Sequence, residues 1–282
     1  MLNALTIDVE DYYQVSAFES VVRFEDWDQY ESRVERNTYR ILDILDEHKT
    51  KATFFVLGWV AERQPKLVKA IHERGHEVAS HGYAHQRVYH QTPDQFRQET
   101  RRSKQILEDA ICQPIIGYRA ASYSITEKSL WALDILLEEG FLYDSSIFPV
   151  RHDLYGIPHH HRFFHLIKRD GRGILGEFPL STFRMFGLNV PVAGGGYLRL
   201  FPYVVTRLAI KSLNVRKKQL AVVYLHPWEI DPGQPRLPGG IRSRFRHYVN
   251  LKETERTFQK LLHDFRFDTL KSIYNRLIDA QR

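Results

Sequence analysis

The feature that most constrains this chain is a repeated alternation of short apolar runs with longer stretches of helical periodicity. Residues 3–8 (NALTID), 52–57 (ATFFVL), 76–81 (HEVASH), 115–119 (IIGYR), 141–146 (FLYDSS), 174–181 (ILGEFPLS) and 219–226 (QLAVVYLH) read as strands. Helical patterns fall between them. One covers 34–48, with Ile41, Leu42 and Leu45 at helical spacing; the next runs from Pro65 to Arg74 and closes at Gly75. A long charged helix over 93–111 opens at Thr92-Pro93, and another runs from the capping Thr126 through Glu139 to Gly140. A helix over 252–264 and a strand beginning at 267–270 (FDTL) follow. Alternation at this spacing means parallel strands joined by crossover helices. With about seven such units and no dinucleotide glycine fingerprint, the pattern predicts an α/β fold, a single (β/α) barrel rather than an open doubly wound sheet. The stretch 146–218 breaks the regularity, so the barrel is expected to be distorted. Residues 1–282 are read as one domain, with a barrel core over about 1–230 and a C-terminal extension over about 231–282.

In such barrels chemistry gathers at the C-terminal ends of the strands. Five strands here end in polar or ionisable groups. They are Asp8-Val9-Glu10-Asp11, Ser80-His81-Gly82-Tyr83-Ala84-His85, Arg119, Asp144-Ser145-Ser146 and His226-Pro227-Trp228-Glu229. That coincidence marks one end of the barrel as the candidate site.

His81 and His85 stand four apart, a spacing that on a helical turn lets both imidazoles share a cation. Two hydrogen-bonding histidines at a strand end would give the same pattern in a chain with 14 His. Asp8, Glu10 and Asp11 are three carboxylates within four residues, which repel unless a cation or an arginine neutralises them. A solvated acidic turn is the plainer alternative, but it suits Asp8 poorly at the end of an apolar strand. Two histidines, one carboxylate and an open position compose a catalytic zinc-type site, and a second carboxylate then takes a proton from water. His226 can protonate a leaving amine or serve a structural role, and Arg119 can hold a carboxylate base or form an ordinary salt bridge. Trp228, Tyr123, Phe148 and Trp27 are either ligand-stacking surfaces or core aromatics.

Composition excludes several classes. The single Cys112 rules out a disulfide framework within the chain and a multi-cysteine zinc site, and it is expected buried in an apolar helix. The formal charge of +6 permits anionic partners, but the basic residues are scattered. Arg216-Lys217-Lys218 reads as the end of a helix before a strand, so no nucleic-acid partner is expected. No apolar run is long enough to span a bilayer, so no stable membrane insertion is expected. The opening residues MLNALTIDVEDYY have neither a basic region nor a long apolar one, from which a cytoplasmic location is expected. The run His159-His160-His161 reads as a solvated loop. Oligomeric state is not legible.

The set TIDVED (6–11), SHGYAH (80–85), GYRAAS (117–122), YDSS (143–146) and YLHPWE (224–229), in this order, resembles the polysaccharide deacetylase family, carbohydrate esterase family 4. It looks closest to the branch associated with exosortase and exopolysaccharide gene clusters, which also carries a glycine-rich GGGYLRLFP stretch, here 194–202, and a C-terminal extension. The resemblance covers nearly the whole chain and implies a distorted (β/α) barrel. It further implies Asp8 as general base, His81 and His85 as metal ligands, Arg119 as the arginine that orients the base, His226 as general acid and Asp144 as the aspartate that tunes it. The sequence departs from the family pattern where Val9 follows Asp8, which leaves the third ligand to Glu10 or Asp11; alternation along an extended strand favours Glu10, and a turn that has already begun favours Asp11. Gly82 stands where a hydroxyl residue is usual, and Ala121, Ser122 and Tyr123 follow the arginine region where Pro and Tyr are common. A backbone N–H of Ser122 or Tyr123 is expected to meet the oxyanion.

The expected function is hydrolysis of N-acetyl groups from hexosamine residues of a glycan, in exopolysaccharide biosynthesis, with a divalent cation, zinc by its ligand types. Ser122, Tyr123 and Trp228 are the expected substrate contacts. The alternatives are a related C–N hydrolase acting on a small cyclic amide or ureide, and a non-catalytic glycan-binding barrel.

Overall fold

The computed structural model describes residues 1–169 and 171–280. Ten helices and eleven strands alternate among them. The first half runs β1 (Leu2–Val9), α1 (Val34–Glu47), β2 (Thr53–Val56), α2 (Gly58–Arg63), α3 (Pro65–Glu73), β3 (Glu77–Ser80), α4 (Pro93–Ile111), β4 (Gly117–Tyr118), α5 (Trp131–Glu138) and β5 (Tyr143–Asp144). The second half adds β6 (His165–Arg169), β7 (Gly173–Glu177), β8 (Thr182–Met185), β9 (Leu188–Pro191), α6 (Gly195–Leu200), α7 (Tyr203–Arg216) and β10 (Val222–Leu225). It closes with α8 (Ile241–Tyr248), α9 (Leu251–Asp264), β11 (Arg266–Asp268) and α10 (Leu270–Asp279).

Seven strands run parallel in the order β10-β1-β2-β3-β4-β5-β7, and β6 is added antiparallel at the β7 edge. This is the distorted barrel that the alternation predicts. Among the described residues no ladder joins β7 to β10. Instead the amide of Val222 donates to Ser181 Oγ at 2.8 Å, and Gly194 bridges Tyr224. Alternation along β1 explains the layering. Leu5, Ile7 and Val9 join the large cluster under the helices, while Ala4 joins an inner cluster with Phe55, Ala79, Tyr143, Val222 and Tyr224. Asp8 shares the parity of Ala4 and therefore faces inward.

The stretch after residue 231 folds back onto this barrel. Strand β11 pairs with β1 over Leu2–Ala4, and Leu270 and Ile273 of α10 enter the inner cluster. The first amides of α10 are satisfied by the barrel itself: Leu270 donates to Thr53 Oγ1 at 2.7 Å and Lys271 to Glu77 Oε2 at 2.8 Å.

Several local expectations change. Strands β4 and β5 are two residues each, because the chain turns away to build the site. Residues 126–139 split into a short 3-10 turn (Glu127–Ser129) and α5. Cys112 is exposed, since α4 ends there in a left-handed residue with φ +53°. The region that breaks the regularity holds the β8–β9 hairpin and two helices.

Candidate active site

Strand parity brings Asp8 and Glu10 to the same side of β1, at the mouth of the barrel. Glu10 meets His81 and His85 there, and one ligand atom from each lies within 4.8 Å of the others. Glu10 Oε2 is 2.8 Å from Nε2 of His85 and is otherwise a buried oxygen without a hydrogen-bond partner. Burial alone would raise the Glu10 carboxyl, but His85, His226 and His81 around it hold it well below the usual carboxylate range. Burial lowers His81 to about 4, so this ring is neutral at pH 7. Its Nδ1 faces the carbonyl of Arg119 at 2.8 Å, which fixes that nitrogen as the donor and leaves Nε2 free for a ligand.

The two histidines do not sit on a helical turn. Residues 81–85 form an irregular loop in which Gly82 has φ +75° and His85 has φ +51°. The N-terminus of α2 ties this loop down: Gly58 and Trp59 donate to the carbonyls of Gly82 and Tyr83 at 2.8 and 3.1 Å. Gly58 has to be glycine, because a Cβ there would meet Tyr83 Cδ2 at 2.8 Å.

Asp11 is not in the cluster. Its carboxylate turns outward and accepts the amides of Arg33 and Val34 at 2.6 and 3.0 Å, together with the Ser32 hydroxyl at 3.0 Å. It caps the first turn of α1, so the alternation argument, not the early-turn one, describes β1.

Asp8 lies beside the cluster, 2% exposed. Arg119 Nη1 donates to Asp8 Oδ1 at 2.6 Å and to Thr6 Oγ1 at 2.7 Å. The guanidinium is fully buried and is held from behind by the carbonyl and hydroxyl oxygens of Ser145 at 3.0 and 2.8 Å. Arg119 therefore fixes one Asp8 oxygen and leaves Oδ2 facing the mouth, 3.4 Å from the Tyr123 hydroxyl. Opposite stands His226, whose Nε2 is 3.5 Å from Glu10 Oε1 and 3.9 Å from Asp8 Oδ2. Burial would lower this ring, but Glu10, Glu229 and Asp8 raise it to about 9, so it carries a proton at neutral pH.

The carboxylate behind His226 is Glu229, not Asp144. Glu229 Oε1 is 2.6 Å from His226 Nδ1, and Arg199 of α6 lies 3.5 Å from its other oxygen. Asp144 instead accepts the Ser146 hydroxyl at 2.5 Å and faces Glu177. Burial and the neighbouring Asp144 push Glu177 well up, as expected of two carboxyls sharing a proton. The sequence reading missed Glu229, yet the signal was present: Pro227 opens a 3-10 turn over Pro227–Ile230, and a turn places residue 229 back under residue 226. Arg199 was beyond reach. It depends on Gly194 and Gly195 lying against Tyr224, where a Cβ would come within 2.3 and 2.6 Å of its ring.

The three expected substrate contacts differ in fate. Trp228 is 5% exposed, stacked between His226 and His247 at 5.2 and 4.0 Å, with Nε1 donating to Glu10 Oε1 at 3.2 Å; it braces the site and offers no face to a sugar. Phe148 and Trp27 are likewise core aromatics. The Tyr123 amide is spent on the Ala120 carbonyl at 3.0 Å, which leaves the Ser122 amide as the candidate oxyanion donor. Ser122 and Tyr123 have φ of +51° and +54°, strained values for non-glycine residues, and with His85 they place three such residues around one mouth. Beside His85 a cleft of about 670 Å³ opens between the loops near Phe24, Arg87 and the start of α4.

Two regions of the chain match family models. Residues 19–136 match the model described as polysaccharide deacetylase, and residues 145–275 match a domain of unknown function, DUF3473. Residues 19–136 thus carry a polysaccharide deacetylase domain, with DUF3473 following it. The chain is 40% identical over 70 residues to a peptidoglycan-N-acetylglucosamine deacetylase of Bacillus cereus, covering 25% of this chain and 26% of that protein. A chitooligosaccharide deacetylase of Bradyrhizobium is 31% identical over 96 residues, 34% of this chain and 42% of that protein. The matched segments thus span less than half of these relatives. A solved structure from Mycobacterium smegmatis, classed as a polysaccharide deacetylase, superposes with a TM-score of 0.64 over 99% of this chain and 90% of that one, at 21% identity, and shows the same fold.

Proposed function

We propose that this protein is a metal-dependent N-deacetylase that removes acetyl groups from N-acetylhexosamine residues of a glycan. The observation that carries this reading is the buried Glu10–His81–His85 cluster with a held carboxylate on one side and a held imidazole on the other. The residues fit a cation: the donor set is one carboxylate and two imidazoles, and Glu10 Oε2 is buried with no hydrogen bond beyond its 2.8 Å approach to His85 Nε2. The same donor types favour zinc. A divalent cation there supplies Lewis acidity toward the acetamide carbonyl and toward water.

The chain's own residues do the rest. Asp8, oriented by Arg119, takes the proton from the attacking water. The Ser122 amide faces the oxygen on which negative charge develops. His226 gives its Nε2 proton to the departing amine while Glu229 steadies the ring from Nδ1. Products are acetate and a free amino sugar. A role in exopolysaccharide biosynthesis is part of this reading and rests on the resemblance of the motifs in order. The His81→Ala protein is expected to lose both metal binding and acetate release from N-acetylated chitooligosaccharides; unchanged acetate release overturns the assignment.

A further inference from the structure

The β8–β9 hairpin and α7 present a surface that the active site does not use. Of the 15 large hydrophobic side chains exposed among the described residues, eight lie between Met185 and Val215. Phe183, Met185, Val190, Phe201, Leu208 and Val215 line an apolar groove of about 630 Å³ between the hairpin and the helix, with Lys211 and Arg216 on its rim. A surface this apolar on a folded chain marks an interaction site.

Charge says what covers it. Between Glu177 and Glu229 there are 51 residues and no Asp or Glu; the chain's own acidic share, 34 of 282, would put about six there. The same run holds seven Lys or Arg. Arg199 is buried beside Glu229, and Arg207 pairs with Asp264 at 2.7 Å. The other five, Arg184, Lys211, Arg216, Lys217 and Lys218, are exposed, and none forms an ion pair among the described residues.

The hairpin tip adds a second observation. Met185 pairs with Leu188, so the loop is the two residues Phe186-Gly187, with φ of +48° and +79°. Asn-Gly or Asp-Gly is the favoured occupant of such a turn. Here a bulky aromatic residue takes the left-handed position and is 94% exposed. That choice costs turn stability and leaves an apolar ring in water, which is sensible only if the ring is buried elsewhere.

We infer that this face docks the protein peripherally on an anionic membrane surface. Phe186 and Leu188 enter the headgroup boundary, and the exposed cations of α7 and its C-terminal end, Lys211, Arg216, Lys217 and Lys218, meet lipid phosphates. Helix α7 has 14 residues, and no helix among the described residues is long and apolar enough to cross a bilayer, so the contact is interfacial. A second copy of the chain is a poorer occupant, because a two-fold contact would set this basic rim against itself.

The test uses the full chain and two vesicle types, phosphatidylcholine mixed with phosphatidylglycerol and phosphatidylcholine alone. The protein is expected to co-sediment with the mixed vesicles, to bind the neutral ones weakly, and to be released from the mixed ones by salt. Phe186→Asn keeps or improves the turn, so folding is not at issue, and it is expected to weaken vesicle binding about tenfold. The Lys217→Glu/Lys218→Glu protein is expected to lose the preference for anionic lipid. Absence of vesicle binding, or binding indifferent to Phe186→Asn, overturns the inference. So does a dimer in sedimentation velocity, without lipid, that Phe186→Asn dissolves.

Discussion

At the scale of single residues, the site separates chemistry from support. Asp11 and Glu10 are neighbours in sequence with opposite fates, because successive strand residues point to opposite faces. Period-two reasoning on β1 reaches this result, whereas the role of Asp144 was not legible: a carboxylate at a strand end looks the same whether it faces His226 or Glu177. Glu229 is the residue on which the account of His226 depends. With Nδ1 held at 2.6 Å, the ring presents Nε2 to the mouth in one orientation. Glu229→Gln removes the charge while preserving the shape. It is expected to lower kcat about tenfold to a hundredfold, with KM within about twofold, since the interaction strengthens only as the imidazole acts. Steady-state kinetics on a chitooligosaccharide check this, with thermal unfolding as a control for Arg199; an unchanged kcat contradicts it.

At the scale of elements, the strands were legible and the devices that hold their ends were not. Apolar runs and helix signals located β1, β2, β3 and β10 because burial on both faces leaves a strong pattern, and β7 from its buried second half. Strands β4 and β5 shrink to two residues because hydrogen bonds donated by Arg119 and Ser145 and accepted by Ser146 replace ladder bonds at their ends, and a propensity pattern carries no such information. The junction of β2 and β3 shows one consequence. His76 is 3% exposed, and its Nδ1 accepts the Ala52 amide at 3.2 Å. Burial lowers this ring to about 4, below its unfolded value of 6.5. A depressed histidine contributes stability that is full above pH 6.5 and is lost as pH falls through about 4. The loss attributable to His76 is about 3 kcal/mol across that window. Urea unfolding at several pH values should show a shallower acid dependence for His76→Gln than for the parent. Equal slopes would mean that His76 is not the group responsible.

At the scale of the molecule, the two matched regions build one site. Asp8 and Glu10 precede the polysaccharide deacetylase match, His81, His85 and Arg119 lie within it, and Arg199, His226 and Glu229 come from the DUF3473 match. The glycine run at 194–196 belongs to this assembly, because only a bare backbone passes close enough to Tyr224 to deliver α6 and Arg199. The last helix serves the opposite end, closing the barrel with Leu270 and Ile273. Five motifs in order made the site legible in outline. Their mutual geometry was not legible, since it depends on contacts between residues up to 218 apart in sequence, as between Glu10 and Trp228.

In the proposed site the folded chain holds one divalent ion through Glu10, His81 and His85. Metal content and acetate release, measured side by side on the parent, Glu10→Gln and Asp11→Ala proteins, test it most directly. Asp11→Ala should retain the ion and activity while losing about 1–2 kcal/mol of stability from the α1 cap. Glu10→Gln should retain the fold and lose both ion and acetate release. A Glu10→Gln protein that keeps its ion, or an Asp11→Ala protein that is folded but loses it, would contradict the account.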